Sequence, residues 1–276
     1  MKRLIAGAAA ALSAAWLLAG CAGGQTGRPG TAASNAPSTP ASDYRPVENI
    51  VTGAARTRAK SHTELGLAYL EAGNVAVALD EGRQALRDDS SYGPAYNLMG
   101  LAHMYLQERQ QARENFEKAL RLSPSDPDIN NNFGWFLCQS GEHARAMELF
   151  NTAIKNPLYA HPTRPYTNAG LCAMEAGDLA GAEVNFLRAI NADPDNLQAL
   201  YNLAALFYRR ANYYEARKYL SDFHAKTDPV AESLWLAVRI ERKLGDKASE
   251  SGFAGQLRRR FAGTPQHQAL MQGNYD

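Results

Sequence analysis

Six histidines are the side chains best suited to move protons or hold a metal: His62, His103, His143, His161, His224 and His267. No pair of them has ligand spacing, and no His-Glu-x-x-His run occurs. A nucleophile elbow, a P-loop and a glycine-rich dinucleotide turn are also missing from the sequence. Asp88-Asp89 pairs two carboxylates, as general acid–base work would need, but it ends a helix and reads as a solvated turn. Arg258-Arg259-Arg260 has the charge to touch phosphate, and reads as the solvated face of the last repeat helix. The chain is therefore expected to be no enzyme, with no metal, no small-molecule substrate and no cofactor beyond a covalent lipid.

That lipid belongs to Cys21. Lys2 and Arg3 open the chain, Leu4 to Leu18 is apolar and uncharged, and Leu18-Ala19-Gly20-Cys21 follows. A basic start, a short apolar run and small residues describe a secretory signal over residues 1–20, too short to span a bilayer. The last four residues resemble the bacterial lipobox, whose cysteine receives a diacylglycerol before cleavage and an acyl chain on its new amine afterwards. Several chains on one residue exceed the one-chain limit of marginal anchoring. The residue after the cysteine is Ala22, not the aspartate that retains many Gram-negative lipoproteins in the inner membrane. The expected location is the periplasmic face of the outer membrane.

With 29 Lys+Arg against 28 Asp+Glu in 276 residues, the chain has no bulk attraction for nucleic acid. Loss of Lys2 and Arg3 on cleavage leaves it nearly neutral. Residues 22–46 are mostly Ala, Gly, Pro, Ser and Thr with no large aliphatic side chain, so they cannot bury enough surface to offset their ordering entropy. Residues 21–55 are read as the lipidated cysteine and a flexible tether, with a root-mean-square reach of roughly 30–35 Å.

Beyond the tether the chain repeats. Gly66, Gly100, Gly134, Gly170 and Ala204 recur at intervals of 34, 34, 36 and 34. Twelve residues after each comes alanine: Ala78, Ala112, Ala146, Ala182 and Ala216. Phe116, Phe150 and Phe186 share one register, and Pro124 and Pro194 another. A 34-residue period of this kind resembles the tetratricopeptide repeat, two antiparallel helices per unit, and implies an all-α solenoid. The small residues fall where the paired helices cross, and Gly73, Gly141, Gly177 and Gly245 fall at the C-terminal caps of first helices. The repeat domain is placed at 56–265, with units 59–92, 93–126, 127–162, 163–196, 197–230 and 231–264. The sixth is degenerate, with Val238 and Glu250 at the small positions, as a terminal cap allows. Residues 266–276 are expected to fray.

Lipidation leaves Cys138 and Cys172, on first helices of adjacent units. Such helices stack, so in an oxidising compartment a disulfide is expected, closing a loop of about 35 residues and contributing roughly 3–4 kcal/mol. Two buried free thiols are the alternative. In tetratricopeptide-repeat proteins the first helices line an inner groove, mainly through their second, fifth, ninth, twelfth and thirteenth positions. Those positions hold Leu67 and Leu70 in the first unit, Leu101, Met104 and Tyr105 in the second, and Trp135 in the third. They form an apolar face suited to an amphipathic or extended protein segment, unless a neighbouring helix or the tether covers it.

Taken together, the lipobox and residues 56–265 resemble the PilF/PilW lipoproteins of type IV pilus biogenesis. The resemblance is carried by Leu65-Gly66-Leu67-Ala68-Tyr69-Leu70, Asn131-Asn132-Phe133-Gly134-Trp135-Phe136-Leu137-Cys138 and the long turn at Asn156-Pro157-Leu158-Tyr159. Asn168-Ala169-Gly170-Leu171-Cys172, Arg239-Ile240-Glu241-Arg242 and Gln256-Leu257-Arg258-Arg259-Arg260-Phe261 complete it. The tether is longer than the family pattern, and His103 stands where a tyrosine is usual. The resemblance implies a pilotin, which binds secretin subunits, carries them to the outer membrane and promotes their assembly, supporting pilus stability and twitching motility. A different lipoprotein of the same fold, scaffolding peptidoglycan enzymes or outer-membrane barrel assembly, is the rival reading.

Overall fold

The structure is a computed structural model and describes residues 47–156, 159 and 161–275. The signal segment, Cys21 and the tether up to residue 46 lie outside the described residues. Thirteen helices and no strand occur among the described residues. Six antiparallel pairs follow in chain order. They are α1 (Val47–Glu71) with α2 (Val75–Asp88), α3 (Gly93–Tyr105) with α4 (Arg109–Leu122), and α5 (Pro127–Cys138) with α6 (His143–Ile154). The remaining pairs are α7 (Thr163–Glu175) with α8 (Leu179–Ala192), α9 (Leu197–Arg209) with α10 (Tyr213–Lys226), and α11 (Ala231–Leu244) with α12 (Lys247–Arg260). A short α13 (Pro265–Gln272) closes the stack. The architecture is a solenoid of helix-turn-helix units.

The local signals are readable. Asp126 accepts from the backbone N–H of Asp128 and Ile129, both at 3.0 Å, and Pro127 takes the first turn of α5. Each first helix ends in the same double bond: the left-handed residue donates to the carbonyl three back, and the next residue to the carbonyl five back. That residue is Gly73, Gly141, Gly177 and Gly245 in four units, and Gln107 and Ala211 in the other two.

Helix crossings carry the core. A Cβ on Gly100 would stand 2.8 Å from the Phe116 ring, and one on Gly134 equally close to Phe150. The missing side chain lets each ring lie flat on the facing helix, fully buried, worth roughly 1.5–3 kcal/mol per ring. Ala78, Ala112, Ala146, Ala182 and Ala216 are all at zero exposure where the pairs meet. Neighbouring first helices approach closely along the whole stack, whereas among the described residues neighbouring second helices meet only through side chains, as where Arg145 reaches Glu117 and the His224 ring lies beside Phe253. The first helices therefore form the closer-packed, inner side. A run of side-chain amides fixes their register: Asn168 donates to Asn131 at 2.9 Å, Asn131 to Asn132 at 3.2 Å, and Asn132 to Asn97 at 3.3 Å.

Both ends of the domain differ from expectation. Helix α1 begins at Val47, so the last nine residues assigned to the tether are helical. They follow Pro46 with no further proline, and they run on without a break into the first repeat helix. Residues 266–276 do not fray throughout. Thr264 caps α13 by accepting from His267 N–H at 3.3 Å, Pro265 takes its first turn, and Leu270 is buried in one cluster with Trp235, Leu234 and Leu257 of the sixth unit. Asp88-Asp89 also gains a role: Asp88 accepts from Arg58 at 2.8 Å and Asp89 pairs with Arg56, tying α2 back to α1.

Candidate functional site

The inner side of the first three units opens into a cavity of about 580 Å³. Leu70 enters from the last turn of α1, and Leu101, Met104 and Tyr105 come from one face of α3, at the helical spacing that puts three residues on one stripe. Phe136 of α5 forms the far wall, itself buried to 3 % exposure. Leu101 and Met104 are half-buried against the core of the third unit, whereas Tyr105 is 63 % exposed at the rim. Polar groups close one end. Arg109 donates to the Gln139 carbonyl at 3.0 Å and to Ser140 Oγ at 2.8 Å, and its guanidinium and that of Arg113 lie over the Phe136 ring. His103 Nδ1 lies 2.6 Å from Glu108 Oε2, holding the turn beside the rim.

Four of the six residues expected to face a partner thus share one cavity. The other two do not join it. Trp135 lines a neighbouring cavity of about 280 Å³ with Leu171 and Met174. Leu67 is half-buried and lines neither cavity, because it lies one turn back along α1 and the groove reaches only the last turn. Phe136, Gln139 and Arg109 line the groove without having been expected there. Gln139 was legible as the thirteenth position of its unit; Phe136 and Arg109 lie off that register.

Beside the groove, Cys138 at the end of α5 and Cys172 on α7 are bonded to each other, with Cα atoms 5.7 Å apart. Both are buried. His143 comes within 4.8 Å of both sulfurs, but sulfurs bonded to each other present no thiolate to a metal. At the long third turn Tyr159 donates to Asp128 Oδ1 at 2.8 Å, and burial, reinforced by that carboxylate, pushes the phenol far up from its ordinary range. It is a neutral structural donor. Asp88-Asp89 is consumed by ion pairs, and Arg258-Arg259-Arg260 is exposed on α12.

A tetratricopeptide-repeat family model matches residues 97–164 and 167–248, over half of the chain. This chain belongs to the tetratricopeptide-repeat family. Among curated relatives, the type IV pilus assembly protein PilF of Pseudomonas aeruginosa is 26 % identical over 208 residues, spanning 75 % of this chain and 82 % of PilF. The crystal structure of PilW, a widely conserved type IV pilus biogenesis factor, superposes with a TM-score of 0.72 at 26 % identity. That match covers 77 % of this tetratricopeptide-repeat protein and 98 % of PilW. A Pseudomonas aeruginosa PilF structure gives a TM-score of 0.71 at 26 % identity, covering 80 % and 99 %. The chain is thus PilF/PilW-like in sequence and in backbone.

Proposed function

We propose that this protein is an outer-membrane lipoprotein, anchored through Cys21, that binds subunits of the type IV pilus secretin and promotes their multimerisation. The observation that carries the reading is the open apolar cavity of Leu70, Leu101, Met104 and Tyr105 on the inner side of a PilF/PilW-like repeat stack. Among the described residues no nucleophile, base or metal set lines it, which supports reading it as a surface that holds a protein partner. In a nearly neutral chain, burial of apolar surface is the main source of affinity. Half-buried Leu101 and Met104 offer a floor that a helix or extended segment covers, and Tyr105 supplies an amphipathic edge.

The test is the pair Leu70→Glu and Met104→Glu in one chain. Both side chains are partly exposed, so the repeat stack survives, while two carboxylates in an apolar groove oppose docking. Secretin multimers and surface pili are expected to be lost at a normal protein level. Full piliation places the partner surface elsewhere, and recovery of a peptidoglycan synthase or barrel-insertion subunit in place of secretin from solubilised membranes replaces the reading.

A further inference from the structure

The register positions that build the apolar groove change character along the stack. Positions nine, twelve and thirteen of the second unit are Leu101, Met104 and Tyr105; in the sixth they are Arg239, Arg242 and Lys243. The fifth unit begins the change with Tyr208 and Arg209 at positions twelve and thirteen. The three cations of α11 line a separate cavity of about 430 Å³, walled by Tyr208 of α9 and by Gly273, Asn274 and Tyr275 after α13. Among the described residues no carboxylate lines it.

This cavity is built rather than a scatter of surface charge. The Arg239 guanidinium lies over the Tyr208 ring at 4.9 Å and over Trp235 at 5.7 Å, and that of Arg242 over Tyr275 at 4.0 Å. Tyr275 in turn stacks on Trp235, centroids 5.4 Å apart. Aromatic faces hold the guanidinium planes and leave their N–H edges free. Arg242 spends part of its edge on Glu250 at 2.9 Å. Arg239 and Lys243 have no carboxylate within 4 Å among the described residues, and the buried Arg239 Nε has no hydrogen-bond partner.

We propose that this cavity is a carboxylate-binding site that takes an acidic peptide segment of a protein partner lying along the inner side of the stack. Planar, pre-positioned guanidinium edges match a carboxylate in a fork. The cavity also sits at the C-terminal ends of α9, α11 and α13, whose carbonyl-rich termini carry partial negative charge. Those termini disfavour a multiply charged phosphate, while a peptide brings backbone N–H donors to them together with its single carboxylates. The inference concerns a site remote in sequence from the apolar groove, and it holds or fails independently of the secretin reading.

Fluorescence anisotropy on the full chain tests it, with end-blocked, labelled hexaglutamate as probe and hexaglutamine as control. Hexaglutamate is expected to bind and hexaglutamine not. Arg239→Gln with Lys243→Gln is expected to weaken binding about tenfold or more. Lys243→Gln alone, at an exposed residue whose loss costs no packing, is expected to weaken it about threefold and keeps the test alive if the double variant fails to fold. Arg83→Gln with Arg121→Gln, on the second helices α2 and α4, is expected to change nothing. Equal loss in that control, an unchanged affinity in a folded double variant, or displacement by phosphatidylglycerol vesicles at lower charge concentration than by peptide would each overturn the proposal. So would binding that appears only once Asp276 is removed, since the chain's own end would then be the occupant.

Discussion

Ala211 holds a left-handed backbone, φ 56°, at the repeat position that glycine occupies in four of six units. A Cβ is crowded against the carbonyl there, at a cost of roughly 1–2 kcal/mol, and the cap bonds to the Tyr208 and Phe207 carbonyls keep the residue in place. Ala211→Gly should therefore raise stability by about 1 kcal/mol, the lost strain being offset in part by the greater freedom of glycine in the unfolded chain. A urea midpoint that moves up at constant slope is the check, and a midpoint that moves down refutes the strain. His224 gives a pH signature. It lies in the last turn of α10 with Nε2 2.9 Å from Ser233 Oγ, and burial lowers its pKa from the usual 6.5. The unfolded chain then takes up the proton at a higher pH than the folded one. Stability from this group is complete above pH 6.5 and is lost as pH falls below it toward the lowered folded value. His224→Gln should flatten the fall in the urea midpoint between pH 7.5 and 5.5. An unchanged slope would place the acid sensitivity in other groups.

Among the elements, α5 and α7 are joined covalently as well as by packing, through Cys138 and Cys172. The bond closes 34 residues of sequence, which the chain-entropy account values at about 3–4 kcal/mol. Cys138→Ser and Cys172→Ser should each lower the thermal midpoint by the same amount as reduction of the unmodified protein, and reduction should add nothing to either variant. Unequal effects would mean that a serine hydroxyl is poorly tolerated at one of these buried sites rather than that a shared constraint is lost. This pairing was legible in sequence because the 34-residue period puts both cysteines on stacked helices of adjacent units. The repeat crossings were legible for the same reason: Gly100 against Phe116 and Gly134 against Phe150 recur in one register. Two stretches were not legible. Val47–Ala55 follows a segment too poor in large apolar residues to show a helical stripe, and α13 is only eight residues long, held by Leu270 and a threonine cap rather than by the repeat pattern. Phe136 escaped notice because a core position and a groove wall are the same residue seen from two sides, and periodicity reports only the first.

Over the repeat stack of the described residues, each unit meets its neighbours and nothing beyond them. Stability is then close to a sum of unit terms and interface terms, and damage stays near where it is made. The ends are the sensitive places, because a terminal unit has a neighbour on one side only. At the C-terminal end α13 supplies the missing cover: Leu270 joins the buried cluster of Trp235, Leu234 and Leu257, and Tyr275 stacks on Trp235. The degenerate sixth unit keeps Val238 buried where other units carry glycine or alanine, because Ala254 stands on its second helix at the position of Phe116, Phe150 and Phe186 and leaves room for the larger side chain. Leu270→Ala removes the centre of that cover. A buried leucine truncated to alanine costs about 2 kcal/mol at the low end of the usual range, suited to a site at the edge of a core. Amide exchange in α11 and α12 should accelerate by about thirtyfold, the equivalent of that free energy, while α3 to α7, braced by the disulfide and the asparagine run, should exchange as before. Uniform acceleration across all six units would show instead that the stack unfolds as one cooperative body and that its last helix stabilises the whole of it.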